Sequence, residues 1–224
     1  MRVRIFSVVP AAVLALVIVA QAREARADTV FSNFGPGQTY VGNSWWFVGN
    51  DPGAGAEVDA FSFAPSETAT LTGADLALTA LSGSATPLNV YIESNSGGAP
   101  GTILDTLTQT GSYSAYPTTA VVNFTCSGIC STLDAGTTYW IVGQQTDATN
   151  QTGWLYSLAD TGTWFYNEVN SATGPWTTAT AGNNFSAFDV TGTASTSPVP
   201  EPGSVALLGT GLLGLAGVLR RRLA

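Results

Sequence analysis

The sequence predicts an all-β fold, an antiparallel β-sandwich of the jelly-roll type. Short stretches of alternating apolar and polar residues recur about every 10 to 20 positions, separated by turns rich in Gly, Pro, Asn and Asp. In one such stretch Leu88, Val90 and Ile92 give an apolar face. The other face carries Asn89, Tyr91 and Glu93. No segment of the body has the apolar periodicity of an amphipathic helix.

Nine segments have this alternating pattern and are predicted to be strands. The turns between them contain glycines that tolerate positive φ and prolines that cannot join a central sheet ladder. Nine short strands in one domain are typical of two packed antiparallel sheets. The predicted strands are Asp59–Phe63, Leu71–Ala80, Leu88–Glu93, Ile103–Gln109, Ala120–Cys126, Thr138–Gln144, Trp154–Leu158, Thr163–Val169 and Phe185–Val190.

The distribution of charge excludes several classes of function. The 224 residues carry a net charge of -8, and all seven basic residues are arginines near the two ends, so none lies between Ala27 and Leu219. Nucleic-acid binding depends on Lys and Arg at phosphates and is therefore not expected. The chain has no histidine and no lysine, which removes the usual catalytic bases and Schiff-base chemistry. We expect no enzyme activity and no catalytic residues.

The two cysteines, Cys126 and Cys130, are separated by three residues. In an exported chain this spacing favours a short-loop disulfide, with free thiols as the alternative. A redox pair needs two intervening residues, and a zinc site needs more Cys or His ligands than this chain has.

Residues 1–27 have the features of a secretory signal peptide. Arg2 and Arg4 precede an apolar stretch, and Ala25 and Ala27 form an A-x-A cleavage site. A retained membrane anchor is the alternative interpretation. Cleavage would leave a body domain over residues 28–194.

The C-terminal region has three parts in a fixed order. A Pro-rich linker at residues 195–203 is followed by an uncharged stretch and then by Arg220, Arg221 and Arg222. As a helix, the stretch from Ser204 to Leu219 would reach about 24 Å, slightly short of the ~30 Å hydrocarbon core of a bilayer. We expect residues 204–224 to form a single transmembrane sorting helix with a basic tail on the cytoplasmic side.

These residues closely resemble the PEP-CTERM sorting signal of Gram-negative bacteria. The resemblance is carried by Pro200, Glu201 and Pro202, the glycine-rich apolar stretch and the terminal arginines. It implies that an exosortase-type membrane enzyme recognises and cuts the tail. The protein would then be exported, transiently anchored in the inner membrane, and finally placed at the cell surface or in the extracellular matrix. Some proteins catalogued as ice-binding carry the same type of tail.

The body resembles, more weakly, the choice-of-anchor extracellular β-sandwich domains. The segments that carry this resemblance start at Leu71, Val90 and Leu133. The resemblance implies a sandwich fold and no particular activity.

Two candidate ligand sites are predicted in the body. Asp51, Glu57 and Asp59 lie in or beside a Gly-rich turn and could hold a structural calcium ion, although the spacing matches no EF-hand and an ordinary acidic turn is the alternative. Aromatic side chains that could stack on sugar rings form the second set, with core packing as the alternative. They are Trp45, Trp46, Trp154 and Trp164, accompanied by Tyr156 and Tyr166.

Three functional hypotheses follow. The first is a structural or adhesive cell-envelope protein, which needs only the sorting signal, the β-domain and a polar surface. The second is a carbohydrate-binding module for exopolysaccharide. A glycan hydrolase acting through Glu57 and Asp59, or an ice-binding protein with ordered threonines, is the remaining alternative; only scattered Thr-x-Thr pairs are present.

Overall fold

The computed structural model describes residues 27–51, 55–82, 85–147, 149–158, 163–179 and 184–195. Within these ranges the chain forms thirteen β-strands and no α-helix. They are β1 (Asp28–Ser32), β2 (Val41–Asp51), β3 (Gly55–Phe63), β4 (Ala69–Ser82), β5 (Leu88–Ser96), β6 (Ala99–Gln109), β7 (Ala120–Cys126), β8 (Thr132–Leu133), β9 (Tyr139–Gln145), β10 (Gln151–Tyr156), β11 (Trp164–Asn167), β12 (Thr177–Thr178) and β13 (Phe188–Ala194).

The strands pair in antiparallel fashion and close on themselves. The order β4-β10-β2-β3-β9-β5-β6-β7 returns to β4, where Gly73–Leu78 pairs with the residues of β7. The predicted all-β antiparallel fold is thus confirmed. The arrangement is an eight-stranded barrel with additional strands, and two separate sheets are not clearly present, so the jelly-roll sandwich is not confirmed.

Closure depends on the long strand β4. Its 14 residues pair with β7 on one edge, and with β13 and then β10 along the other edge. A sandwich would leave this strand at the end of a sheet or inside one layer. Pairing on both edges instead joins the two ends of the sheet, which removes the exposed ladder groups of those edges. β1 extends the sheet beyond β13, while β11 pairs with β3.

The main core lies on the inner face of the barrel. Leu88, Val90 and Ile92 of β5 are at most 2% exposed and belong to this core, as the alternation in the sequence predicted. Phe61 of β3 and Trp154 of β10 meet there with ring centroids 4.8 Å apart. Burial of such side chains supplies the main favourable term in folding.

A second apolar cluster lies on the outer face of β3 and β9. Val58 and Ala60 pack there with Trp140 and Val142, and Phe165 of β11 joins them. These strands are consequently apolar on both faces, because β11 and the residues after it cover the outside. Burial on both faces explains why the sequence around β3 does not alternate cleanly.

A disulfide closes a short loop after β7. Cys126, at the end of β7, is bonded to Cys130 through a disulfide with an S–S distance of 1.99 Å.

The described residues include no helix long and apolar enough to cross a membrane. The predicted signal peptide, apart from Ala27, and the predicted linker and sorting helix, apart from Ser195, lie outside the described residues.

Candidate functional site

Four aromatic side chains form a continuous row that we call the aromatic ladder: Tyr156, Trp46, Trp164 and Tyr166. Ring centroids are 5.4 Å apart between Tyr156 and Trp46, 4.3 Å between Trp46 and Trp164, and 5.7 Å between Trp164 and Tyr166. Contacts at these distances contribute beyond simple area burial. The ladder therefore joins residues from β2, β10 and β11 into one row of ring contacts.

Sheet register places these rings together. Trp46 lies opposite Trp154 in the β2–β10 pair, and a register shift after Leu155 then brings Tyr156 opposite Val41. On β11, Trp164 and Tyr166 are two residues apart, so both side chains project from the same face. The Trp46 indole Nε1 donates a hydrogen bond to the carbonyl oxygen of Asn184 at 2.7 Å, which fixes the orientation of the ring.

Two carboxylic acids of β3 lie close to the ladder. Glu57 and Asp59 are 6% and 0% exposed, and alternation places them on the same face of β3 as Phe61. Tyr166 is directly opposite Asp59 in the β3–β11 register. Burial, and then the charges of Asp59 and Glu57, raise the pKa of the Tyr156 hydroxyl. The ladder and the acids are therefore electrostatically coupled.

The structure separates the predicted tryptophans into two groups. Trp154 is fully buried, its Nε1 donating to the carbonyl oxygen of Ala187 at 3.0 Å, and Trp164 is only 7% exposed. Neither ring presents an open face, because both point toward the barrel core. Trp46 keeps a partly exposed surface in the ladder. Trp45 is also partly exposed but packs on the outer face against Tyr116, 5.1 Å away.

An open groove begins where the ladder ends. It has a volume of about 310 Å³ and is lined by Tyr166, Asn167, Glu168, Val169, Pro175 and Thr177. Asn167 holds one wall in place: its Nδ2 donates to the Ser171 carbonyl oxygen at 2.7 Å, and its Oδ1 accepts from two backbone N–H groups. Tyr166 belongs to both the groove and the ladder.

The chemistry of this region favours neutral or cationic ligands. A phenol, a hydroxyl and the exposed carboxylate of Glu168 line the groove. The chain offers no cationic side chain between Ala27 and Leu219 to pair with an anionic ligand. Aromatic faces beside hydroxyl and carboxylate groups suit sugars, whose rings stack while their hydroxyls form hydrogen bonds.

The predicted calcium ligands are only partly visible. Glu57 and Asp59 are placed as described above, whereas the side chain of Asp51 lies outside the described residues. Among the residues that the structure describes, one cluster of three potential metal ligands is present, with ligand atoms within 4.8 Å of one another: Asp105, Cys126 and Cys130. Those sulfurs are bonded to each other and the Asp105 carboxylate accepts from the Ser131 N–H, so this cluster is not a thiolate metal site.

Sequence reasoning missed three buried or clustered acids of the barrel. Glu93 is fully buried, Asp189 is 4% exposed, and Asp75 pairs directly with Asp189 across β4 and β13. No local pattern distinguishes these acids from solvated ones, because their burial depends on which strands become neighbours.

The predicted cleavage and sorting residues lie outside the described residues. They are Ala25, Pro200, Glu201, Pro202, Arg220, Arg221 and Arg222.

Comparison with known proteins identifies the C-terminal region. Residues 198–222 match the model described as the PEP-CTERM protein-sorting motif. No curated protein matches the chain significantly, and the resemblance of the body to choice-of-anchor domains stays a prediction. The motif implies recognition by exosortase, a membrane-associated processing enzyme. The chain thus carries the sorting motif of exported proteins that are processed at their C-terminus.

Proposed function

We propose that this protein is a structural or adhesive component of the cell envelope or extracellular matrix of a Gram-negative bacterium. The sorting motif at residues 198–222 is the observation that carries the proposal. An exosortase-type enzyme releases the chain from a transient inner-membrane anchor, and the β-domain then remains at the cell surface or outside the cell. The proposal assigns no catalytic role and requires no cofactor.

The body supports this proposal through its surface chemistry. Only 10% of the residues are charged, so solubility rests on neutral hydroxyl and amide groups. A hydroxylated surface whose charged groups are all carboxylates suits a hydrated polysaccharide environment, where it exchanges hydrogen bonds with sugars and water. A disulfide at Cys126–Cys130 is in keeping with an oxidising compartment outside the cytosol.

Replacing Glu201 with alanine should block processing of the tail, because the Pro-Glu-Pro element is the part that the processing enzyme reads. We expect the full-length chain to accumulate in the membrane fraction, while the unaltered protein appears shortened in surface and medium fractions. Immunoblotting of cell fractions measures this. Glu67→Ala, at an exposed glutamate of the body, is the matched control and should be processed normally. Normal processing of Glu201→Ala would contradict the proposal.

The aromatic ladder and its groove support carbohydrate binding as a second function. Trp46 and Tyr166 are partly exposed on either side of the buried Trp164, and Tyr166 also lines the groove. Aromatic faces of this kind can stack on sugar rings. The ligand class would be the exopolysaccharide among which a sorted surface protein resides. Trp46 and Tyr166 would form the stacking surface, and Thr177 and Glu168 would accept hydrogen bonds from sugar hydroxyls.

Trp46→Ala and Tyr166→Ala should each weaken binding to the host exopolysaccharide at least about fivefold, since a lost stacking contact is worth about 1 kcal/mol or more. Affinity electrophoresis with the purified polysaccharide measures the effect. Tyr116→Ala is the matched control, because Tyr116 is 45% exposed but contacts Trp45 instead of the ladder. Equal mobility of all variants would contradict the second function, and reducing-end release lost on Glu57→Gln would favour a hydrolase instead.

A further inference from the structure

Two aspartates face each other across neighbouring strands on the barrel. Asp75 of β4 and Asp189 of β13 are direct partners in the antiparallel register. Their neighbours Ala74, Leu76 and Val190 belong to the inner core, so alternation places both aspartates on the outer face. Like charges directly opposite each other in a sheet are destabilising. The chain has no cationic side chain between Ala27 and Leu219 that could neutralise this pair.

An amide nitrogen occupies the position between the two carboxylates. Gln38 Nε2 donates to Asp75 Oδ2 and to Asp189 Oδ2, at 3.2 Å in both cases. On the other side Asn123 of β7 donates through Nδ2 to Asp75 Oδ1. Hydrogen bonds therefore link four oxygen-bearing side chains from four separate segments. A neutral amide lies between the two carboxylates, where a positive charge would be favourable.

One oxygen of the Asp189 carboxylate could still accept a hydrogen bond or bind a cation. The residue is 4% exposed, and its Oδ1 is buried with no hydrogen-bond partner among the described residues. A buried carboxylate oxygen without a partner is uncommon in folded proteins and costs free energy. The oxygen belongs to the same carboxyl group that accepts from Gln38 through Oδ2.

We propose that Asp75, Asp189, Gln38 and Asn123 form a calcium-binding site on the outer face of the barrel. A calcium ion takes the place of the Gln38 amide nitrogen, and the carboxylate oxygens move from 3.2 Å to the 2.3–2.6 Å typical of calcium. Rotation of the two amide groups presents their oxygens as further ligands, and water completes the shell. This site is separate from the acidic turn at Asp51, Glu57 and Asp59.

Calcium fits this set better than the other common divalent ions. The donors are all oxygens, which excludes the softer metals that prefer nitrogen and sulfur. The ligands come from separate segments without rigid octahedral geometry, which suits calcium more than magnesium. Two carboxylates and two neutral amides give a weak site, with a dissociation constant of about 10⁻⁴–10⁻³ M as in extracellular modules. Such a site would fasten β13 and the loop at Gln38 to β4.

Thermal unfolding of the full-length chain, followed by tryptophan fluorescence at pH 7.5, tests the proposal. At 10 mM CaCl2 we expect Tm to rise by about 4–7 °C over NaCl of equal ionic strength, with a smaller rise in MgCl2. Asp75→Asn and Asp189→Asn should each lose this shift. Asp134→Asn removes an exposed charge and should keep it.

Isothermal titration with CaCl2 supplies a second measurement that does not depend on unfolding. We expect one site per chain in the unaltered protein and at least tenfold weaker binding in Asp75→Asn, whose half-buried position tolerates the change. The proposal is overturned if the Tm of the unaltered protein does not change when calcium is added. A calcium response that survives Asp75→Asn but disappears in Glu57→Gln places the ion at β3 and also overturns it.

Discussion

Replacing Trp154 with alanine should lower the free energy of unfolding by about 3–5 kcal/mol, the cost of removing a large aromatic side chain from a packed core. Trp154 is fully buried. Its ring lies 4.8 Å from Phe61 and 6.0 Å from Phe188, measured between centroids. Its indole nitrogen also donates to the Ala187 carbonyl oxygen, and alanine would remove this buried hydrogen bond. Because small domains are stable by about 5–15 kcal/mol, this single change should remove a large part of the total.

Urea unfolding monitored by circular dichroism measures this loss. Trp45→Ala is the matched control, since Trp45 is the neighbouring tryptophan in the β2–β10 region but lies partly exposed on the outer face. It should cost clearly less than Trp154→Ala. If the two variants lost equal stability, Trp154 would not be the core residue that the barrel geometry makes it. The measurement uses no ligand, so the stability difference between the two variants reports on packing.

Stability should fall by about 3 kcal/mol as the pH rises from about 4.5 to about 7, through the ionisation of Glu93. Burial raises the pKa of this carboxyl from its usual 4.5 to about 7. Neither of its oxygens has a hydrogen-bond partner among the described residues, and the side chain is 0% exposed. The folded state therefore holds Glu93 neutral, while the unfolded chain ionises above pH 4.5. The stabilisation is complete below that pH and is lost by about pH 7.

Glu93→Gln should remove most of this pH dependence and should leave the protein more stable than the parent at pH 8, since glutamine keeps the shape without a titrating proton. Unfolding free energies at pH 4.5, 6 and 8 measure the difference between the two proteins. Glu67→Gln, at an exposed site, should follow the parent at every pH. A parent protein that is as stable at pH 8 as at pH 4.5 would contradict the buried, neutral state of Glu93.

A smaller pH dependence should remain in Glu93→Gln because of Asp189. Burial, and then the charge of Asp75, raise the pKa of Asp189 from 3.8 to about 6. Its contribution is lost as the pH rises from about 3.8 to about 6, a lower window than that of Glu93. Saturating calcium at the proposed site should move this window further down, because the ion favours the ionised carboxylate.

Local sequence patterns determined most of the strands and their inner faces. Ala120–Cys126 was predicted with its observed bounds, and the core positions of β5 follow from strict alternation. The strands β1 and β2 were missed, because their sequences mix Gly, Asn and Ser with aromatic residues and lack a clear period. The short strands β8 and β12 contain two residues each and offer no periodic signal at all.

The sequence by itself also determined the sorting motif, whose recognition depends on contiguous residues and requires no fold. Only the tertiary structure decided that the strands close into a barrel, which of the tryptophans are buried, and that Asp75, Asp189 and Gln38 meet. Strand pairing joins residues far apart in the chain, and a shift of one residue in register would turn each side chain to the opposite face. Periodicity determines which residues share a face, whereas the pairing of strands determines what that face contacts.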